Sequence, residues 1–184
     1  MILASASPRR AELLGAAGFR FAVAPADVDE TPQAGEKPDV YALRVARDKA
    51  ATATAALAER RTVVLAADTV VAVDGQILGK PVDGDDAARM LRLLSGRTHE
   101  VYTAVVVRDG EIEQHAVVTT RVRFQPLSDL EIAWYVASGE PDGKAGAYAI
   151  QGLGARFVEW LEGSWSNVVG LPIATVYRLL DGRN

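Results

Sequence analysis

The chain has 184 residues, 49% hydrophobic and 24% charged, with a formal net charge of −4 and no cysteine. That composition suits one compact domain, residues 1–184, with a sizeable core. It excludes disulfides, thiolate metal sites and a cysteine nucleophile, and with His99 and His115 alone a multi-histidine metal site is not expected. The acidic balance argues against nucleic-acid or membrane-surface binding, which calls for a basic face. No apolar run approaches the roughly 18 residues of a membrane span, and no signal-peptide pattern opens the chain, so a cytoplasmic location is expected.

"MILAS" reads as a short buried strand, followed by a helix with Ser7 as N-cap, Pro8 at the first position and Gly18 as the stop. "FRFAVAP" is a second strand leading into the acidic turn "ADVDETP". An alanine-rich helical pattern runs from Asp39 to Arg60. "TVVLAADTVVAVDGQILGKP" is β-branched and turns at Asp74-Gly75, a strong hairpin signal. "DGDDAARMLRLLSG" is a helix with acidic residues in its first turn, as the helix dipole prefers. A second β pair, "EVYTAVVVRDGEIEQHAVVTTRVRF", is expected to turn at Asp109-Gly110. Ser128 and Glu131 form a capping box at the start of another helix. Glycine-rich, strand-like sequence follows, and "LPIATVYRLLDG" is a final helix. Strands alternating with helices, interrupted by two hairpins, predict an α/β fold with a mixed sheet flanked by helices.

The chemistry begins in "SASPRR". A helix N-terminus offers free N–H groups and a positive dipole end, and arginine adds fork-shaped donors matched to phosphate oxygens. Arg9 and Arg10 are equally readable as solvated first-turn residues, and no GxxxxGK[ST] loop is present. Asp68 follows an apolar strand run, an expensive place for a charge without a partner. Glu30, with Asp27 and Asp29, lies in a turn after a strand, where carboxylates suit Mg²⁺ or Mn²⁺; a plain surface turn is the alternative. Lys80 precedes Pro81, which holds its backbone extended. Lys49 lies partly on the apolar side of its helix, where lysines commonly snorkel to solvent. His99 is expected to make structural hydrogen bonds, His115 to be exposed on a strand, and Trp134, Trp160 and Trp165 to pack rather than stack on a base.

In order and spacing, "SASPRR", "VDET", "ARDKA", "AADTVV", "GKP", "LSGRTHEVYTAV", "KAGAYAIQGLGA" and "GSWSNVVGLP" resemble the Maf family of nucleoside triphosphate pyrophosphatases. The resemblance implies two lobes around a deep nucleotide-binding cleft (a Maf/ITPase-like fold), often as a homodimer. It also implies hydrolysis of a nucleoside triphosphate to the monophosphate and pyrophosphate with a divalent cation, Mg²⁺, Mn²⁺ or Co²⁺. The family's phosphate-binding loop falls on Ser7, Arg9 and Arg10, and its cleft residues on Glu30, Lys49, Asp68 and Lys80. Asp68 would be the proton acceptor, Glu30 and Asp68 would hold the metal, and Arg10, Lys49 and Lys80 would neutralise phosphate charge.

Arg9, Thr69 and Gln151 match the branch acting on dTTP and UTP rather than the one acting on 7-methyl-GTP. A buried Gln151 amide both donates and accepts, as the O4/N3–H edge of uracil or thymine requires. The family's association with septum formation and division arrest supplies a competing class, a nucleotide-sensing regulator without turnover. A general base beside cleft lysines favours the enzyme.

Overall fold

The computed structural model describes residues 1–57 and 62–181. Strands β1 (Ile2–Leu3), β2 (Ala22–Val23), β3 (Val64–Val73), β4 (Gln76–Leu78), β5 (Thr98–Asp109), β6 (Ile112–Phe124) and β7 (Val158–Glu162) form one sheet. Its order is β2-β1-β3-β5-β6-β7, with β4 also paired to β3. The pairs β1–β2 and β1–β3 are parallel and the rest antiparallel, so the expected mixed sheet is the one formed. The helices are α1 (Pro8–Ala16), α2 (Pro38–Ala55), α3 (Gly84–Leu94), α4 (Asp129–Ala137), α5 (Trp165–Val169) and α6 (Ile173–Asp181). Two 3-10 turns, Ala145–Ala147 and Leu153–Phe157, interrupt the glycine-rich segment.

Several boundaries differ from the sequence pattern. β2 is two residues long, because only Ala22 and Val23 find partners, on β1. α2 ends at Ala55, and its expected end at Arg60 lies outside the described residues, as does Gly182 beyond α6. Asp74 and Gly75 take φ of 49° and 77°, the left-handed pair of a type I′ turn. The β5–β6 turn falls one residue later than expected, on Gly110-Glu111. Asp109 is already paired with Ile112, and Gly110, at φ 60°, takes the first turn position. The capping box at Ser128 and Glu131 forms as predicted. α5 had no clear signal, being five residues long.

The ten residues of β3 divide the core by their alternation. Val64, Ala66 and Val70 face α2, packing on Tyr41, Ala42, Val45, Ala46 and Ala50. Leu65 and Ala67 face the other side, against Leu3, Leu14, Leu171 and Val176. On that pattern Asp68 belongs to the α2 side and Thr69 to the α1 side. A third cluster joins α3 and α4 to β6 around Phe124, Tyr135 and Phe157. α3 enters it with Ala87, Met90, Leu91 and Leu94, one stripe at helical spacing. Each fully buried leucine there contributes about 1.5–3 kcal/mol.

His99 lies in this third cluster, 1% exposed, with Nε2 2.9 Å from the Tyr148 hydroxyl and its ring edge-on to Phe124. It has the structural role expected, and His115 is exposed on β6. Burial pushes the His99 pKa down to about 3. The unfolded chain, with an ordinary value of about 6.5, takes up a proton that the native state refuses. Stability therefore falls as pH drops from 6.5 towards 3, by about 2 kcal/mol between pH 7 and 5. Urea denaturation at both pH values should show that loss, and His99→Gln should remove most of it. Equal losses in the two proteins would assign the acid sensitivity to other groups.

Candidate active site

β1 pairs with β3 at Val64 and Leu65, and β4 pairs along the same edge at residues 71–73, while β5 covers the opposite edge. Residues 66–70 are left without a strand on one side. A cleft of about 600 Å³ opens there, and Ser5, Ser7, Arg9, Arg10, Glu30, Lys49, Asp68, Thr69, Lys80 and Gln151 all line it. The nine candidate residues thus converge from the β1–α1 junction, the Glu30 turn, α2, β3, the segment after β4 and the Gln151 loop.

Four of them form a continuous chain of charge. Lys49 Nζ lies 2.7 Å from Asp68 Oδ1 and 2.6 Å from Glu30 Oε1, and Lys80 Nζ lies 3.2 Å from Glu30 Oε2. Lys49 does not snorkel: it is buried on α2 in the same stripe as Ala42, Val45 and Ala46, because Asp68 sits opposite. Burial alone would raise the Glu30 pKa, but hydrogen bonds and charge from Lys49, then Lys80, outweigh it and hold the carboxyl below its ordinary value. The Tyr41 hydroxyl, pushed up to about 12 mainly by burial, donates to the Glu30 carbonyl at 2.8 Å and fixes the turn. Asp27 and Asp29 do not join the cleft; both are exposed, and Asp29 instead accepts from the Thr31 N–H.

On the opposite face of β3, Arg10 is built into the wall. Its Nε donates to the Gly170 carbonyl at 2.8 Å, and its two terminal nitrogens donate to Ser5 Oγ at 3.1 Å and Thr69 Oγ1 at 3.0 Å. Thr103 spends its hydroxyl proton on the Asn167 carbonyl, so the Thr69 hydroxyl is the donor across the 2.9 Å to Thr103. Arg10, Thr69, Thr103 and α5 are therefore one hydrogen-bonded strut. Burial lowers the Arg10 pKa, with the charge of Asp68 opposing that shift. Arg10 remains a cation at neutral pH.

Two expectations are corrected here. Ser7 occupies the N-cap position of α1, but its side chain makes no cap; its N–H donates to Ser5 Oγ, and among the described residues no side chain caps the helix start beside the cleft. Gln151 is exposed rather than buried, because it sits on the turn ahead of Leu153–Phe157 at the rim of the cleft. The tryptophans do not line the cleft, as expected, but neither do they pack fully: Trp134, Trp160 and Trp165 are 42%, 39% and 48% exposed.

Tyr41, Tyr148 and Lys144 also line the cleft and had no role assigned from sequence. Lys144 stands in the "KAGAYAIQG" stretch, so position within a motif was the available signal. Burial and then the charge of Arg9 push its pKa down. Gly146, at φ 68°, follows it, where a Cβ would come within 2.9 Å of Val71.

Among the described residues, no cluster of three or more acidic or histidine side chains forms a metal cage. Mg²⁺ needs none: one or two carboxylates together with substrate phosphates are its usual protein-side ligands. Asp68 Oδ2 accepts no hydrogen bond from the described residues, and Glu30 is 37% exposed at its side chain. The donor set fits a hard divalent cation brought in with phosphate. Within the cleft five cations, Arg9, Arg10, Lys49, Lys80 and Lys144, face two carboxylates, Glu30 and Asp68. That is an excess of three positive charges in a chain of net charge −4. Such a pocket favours a small polyanion. No described helix is long and apolar enough to cross a membrane.

The family model described as "Maf-like protein" matches residues 1–183. A protein of Anaeromyxobacter dehalogenans called "dTTP/UTP pyrophosphatase" is 55% identical over 184 residues, covering 98% of this chain and 92% of its own. Proteins of the same printed name from Myxococcus xanthus and Geobacter sulfurreducens are 53% and 54% identical, covering 98% and 96% of this chain and 91% and 92% of their own.

Proposed function

The chain belongs to the Maf family, and on that premise we propose that it hydrolyses dTTP and UTP to the monophosphate and pyrophosphate. The observation that carries the proposal is the cleft's surplus of three positive charges around the Asp68–Lys49–Glu30–Lys80 chain. The relatives of the same printed name supply the nucleotide class. The activity is that of one unit spanning residues 1–184, acting in the cytoplasm and as a homodimer.

In this reading the triphosphate lies against Arg9, Lys80, Lys49 and the uncapped start of α1, with the base at the Gln151 rim. Arg10 stabilises the phosphate wall by holding Ser5, Thr69 and Gly170 in place. A water attacks the α-phosphorus: its oxygen forms the new P–O bond, the bond to the bridging oxygen breaks, and pyrophosphate leaves. Asp68 Oδ2 takes the water's proton, while Lys49 on Oδ1 holds the carboxylate in orientation. Lys80 and Lys49 offset charge on the departing pyrophosphate. Glu30 and Asp68 would hold a divalent cation, which supplies Lewis-acid polarisation of phosphate oxygens when bound. Arg9, Thr69 and Gln151 set the base preference. Thr69 does so through wall shape, since its hydroxyl is committed to Arg10 and Thr103.

The test is pyrophosphate release from dTTP, UTP, CTP, ATP, GTP and 7-methyl-GTP with Mg²⁺, Mn²⁺ or Co²⁺. Expected are the highest kcat/KM values for dTTP and UTP, and loss of turnover with a chelator. Release chiefly from 7-methyl-GTP would move the chain to the sister branch. Binding without release from any triphosphate would make it a nucleotide sensor.

A further inference from the structure

Gln151 is exposed at the rim, so something other than burial must hold it where a base could be read. Glu140, just beyond α4, reaches into this loop. Its Oε1 accepts from the Tyr135 hydroxyl at 2.8 Å and from the Gly154 N–H at 2.9 Å, and its Oε2 accepts from the Leu153 N–H at 2.9 Å. The same Tyr135 hydroxyl accepts from the Ala149 N–H at 3.1 Å. Backbone groups on both sides of Gln151 are therefore tied to one carboxylate–phenol pair. Tyr135 is fully buried in the third core cluster, which makes the anchor rigid.

The approach is close. A Cβ on Gly152 would lie 2.2 Å from Glu140 Oε2, and one on Gly154 would lie 2.8 Å from the Tyr135 hydroxyl oxygen. Burial would raise the Glu140 pKa, yet the Gly154 and Leu153 N–H groups and Tyr135 together hold it below its ordinary value. An amide at this place has one acceptor oxygen, where a carboxylate serves three donors.

We propose that Glu140, with Tyr135, is the positioning clamp of the 149–154 loop, and that base selectivity depends on it although it touches no substrate. This rests on the reading of Gln151 as the base-facing residue. Without the clamp the loop samples other conformations, the ordering cost falls on substrate binding, and discrimination at the base edge is lost.

The experiment compares wild type, Glu140→Gln, Tyr135→Phe and Gln151→Ala. Steady-state kinetics use UTP and CTP, which differ in the base edge but not in the triphosphate. Amide hydrogen exchange of residues 149–154 reads the loop independently of turnover. Glu140→Gln should speed exchange at Leu153 and Gly154 at least tenfold and reduce the UTP/CTP ratio of kcat/KM at least fivefold. Inhibition by inorganic tripolyphosphate should stay within twofold. Tyr135→Phe, which keeps the ring in the core, should shift both readouts in the same direction and covers the case of a Glu140 variant that does not fold. Unchanged exchange, or equal losses for UTP and CTP, would overturn the clamp. A ratio moved by Gln151→Ala but not by Glu140→Gln would also overturn it while leaving the Gln151 reading intact. A ratio moved by Glu140→Gln but not by Gln151→Ala would support the clamp and remove Gln151 as the reader.

Discussion

Asp68→Asn is expected to lower kcat for UTP by about 10²–10⁴, the usual contribution of a positioned acid or base. UTP binding should change by no more than a few-fold. The substitution keeps the size of the side chain and leaves an oxygen to accept from Lys49 Nζ, now 2.7 Å from Oδ1. Lys49 also keeps Glu30 at 2.6 Å, so the buried cation is not stranded and the fold should persist. What goes is the proton acceptor on the free side of the carboxylate. Single-turnover rates and equilibrium titration of UTP would separate the two effects. A variant turning over at near wild-type rate would take the general-base role away from Asp68, with Glu30 as the remaining carboxylate of the cleft.

Arg10→Ala is expected to act twice, since the structure makes this residue both a cleft cation and a strut. Three hydrogen bonds from a charged donor are lost, to Gly170, Ser5 and Thr69. Such bonds contribute about 1.5–3 kcal/mol each and are not additive. Relief from burying a cation opposes the loss, so a net fall in stability of about 2–4 kcal/mol is expected by chemical denaturation. Triphosphate affinity should fall by about 1.5–3 kcal/mol more than thymidine affinity, through loss of a cleft cation and displacement of the wall behind the phosphates. Titrating thymidine and dTTP into the same folded sample makes the comparison. Equal losses for both would reduce Arg10 to a strut and leave the phosphates to Arg9, Lys49 and Lys80.

Much of the site was legible because charge in an apolar context is costly. Asp68 stands out within "LAADTVV" and Lys49 within an alanine-rich helix stripe. Neither is tolerable buried without a partner, and each turned out to be the other's partner. The Asp74-Gly75 turn, the Ser128–Glu131 capping box and the α3 stripe were equally legible, since local backbone chemistry sets them. The exposure of Gln151 was not. The loop it sits on is tied to Glu140, 13 and 14 residues before the N–H groups that carboxylate accepts from, and nothing local announces that contact. Ser7 also misled: the local pattern is that of an N-cap, but its side chain makes no cap hydrogen bond.

By itself, then, the sequence determined the element types, the mixed sheet and which residues carry unusual chemistry, because turn, cap and alternation signals act within a few residues of chain. Only the tertiary structure decided where that chemistry meets. β1 and β4 share one edge of β3 and leave residues 66–70 open between them, and that gap lets α2 bring Lys49 to Asp68 on one face while α1 brings Arg10 to Thr69 on the other. The pairing of strands far apart in the chain is paid for by burial of the whole core, so no short stretch of residues encodes it.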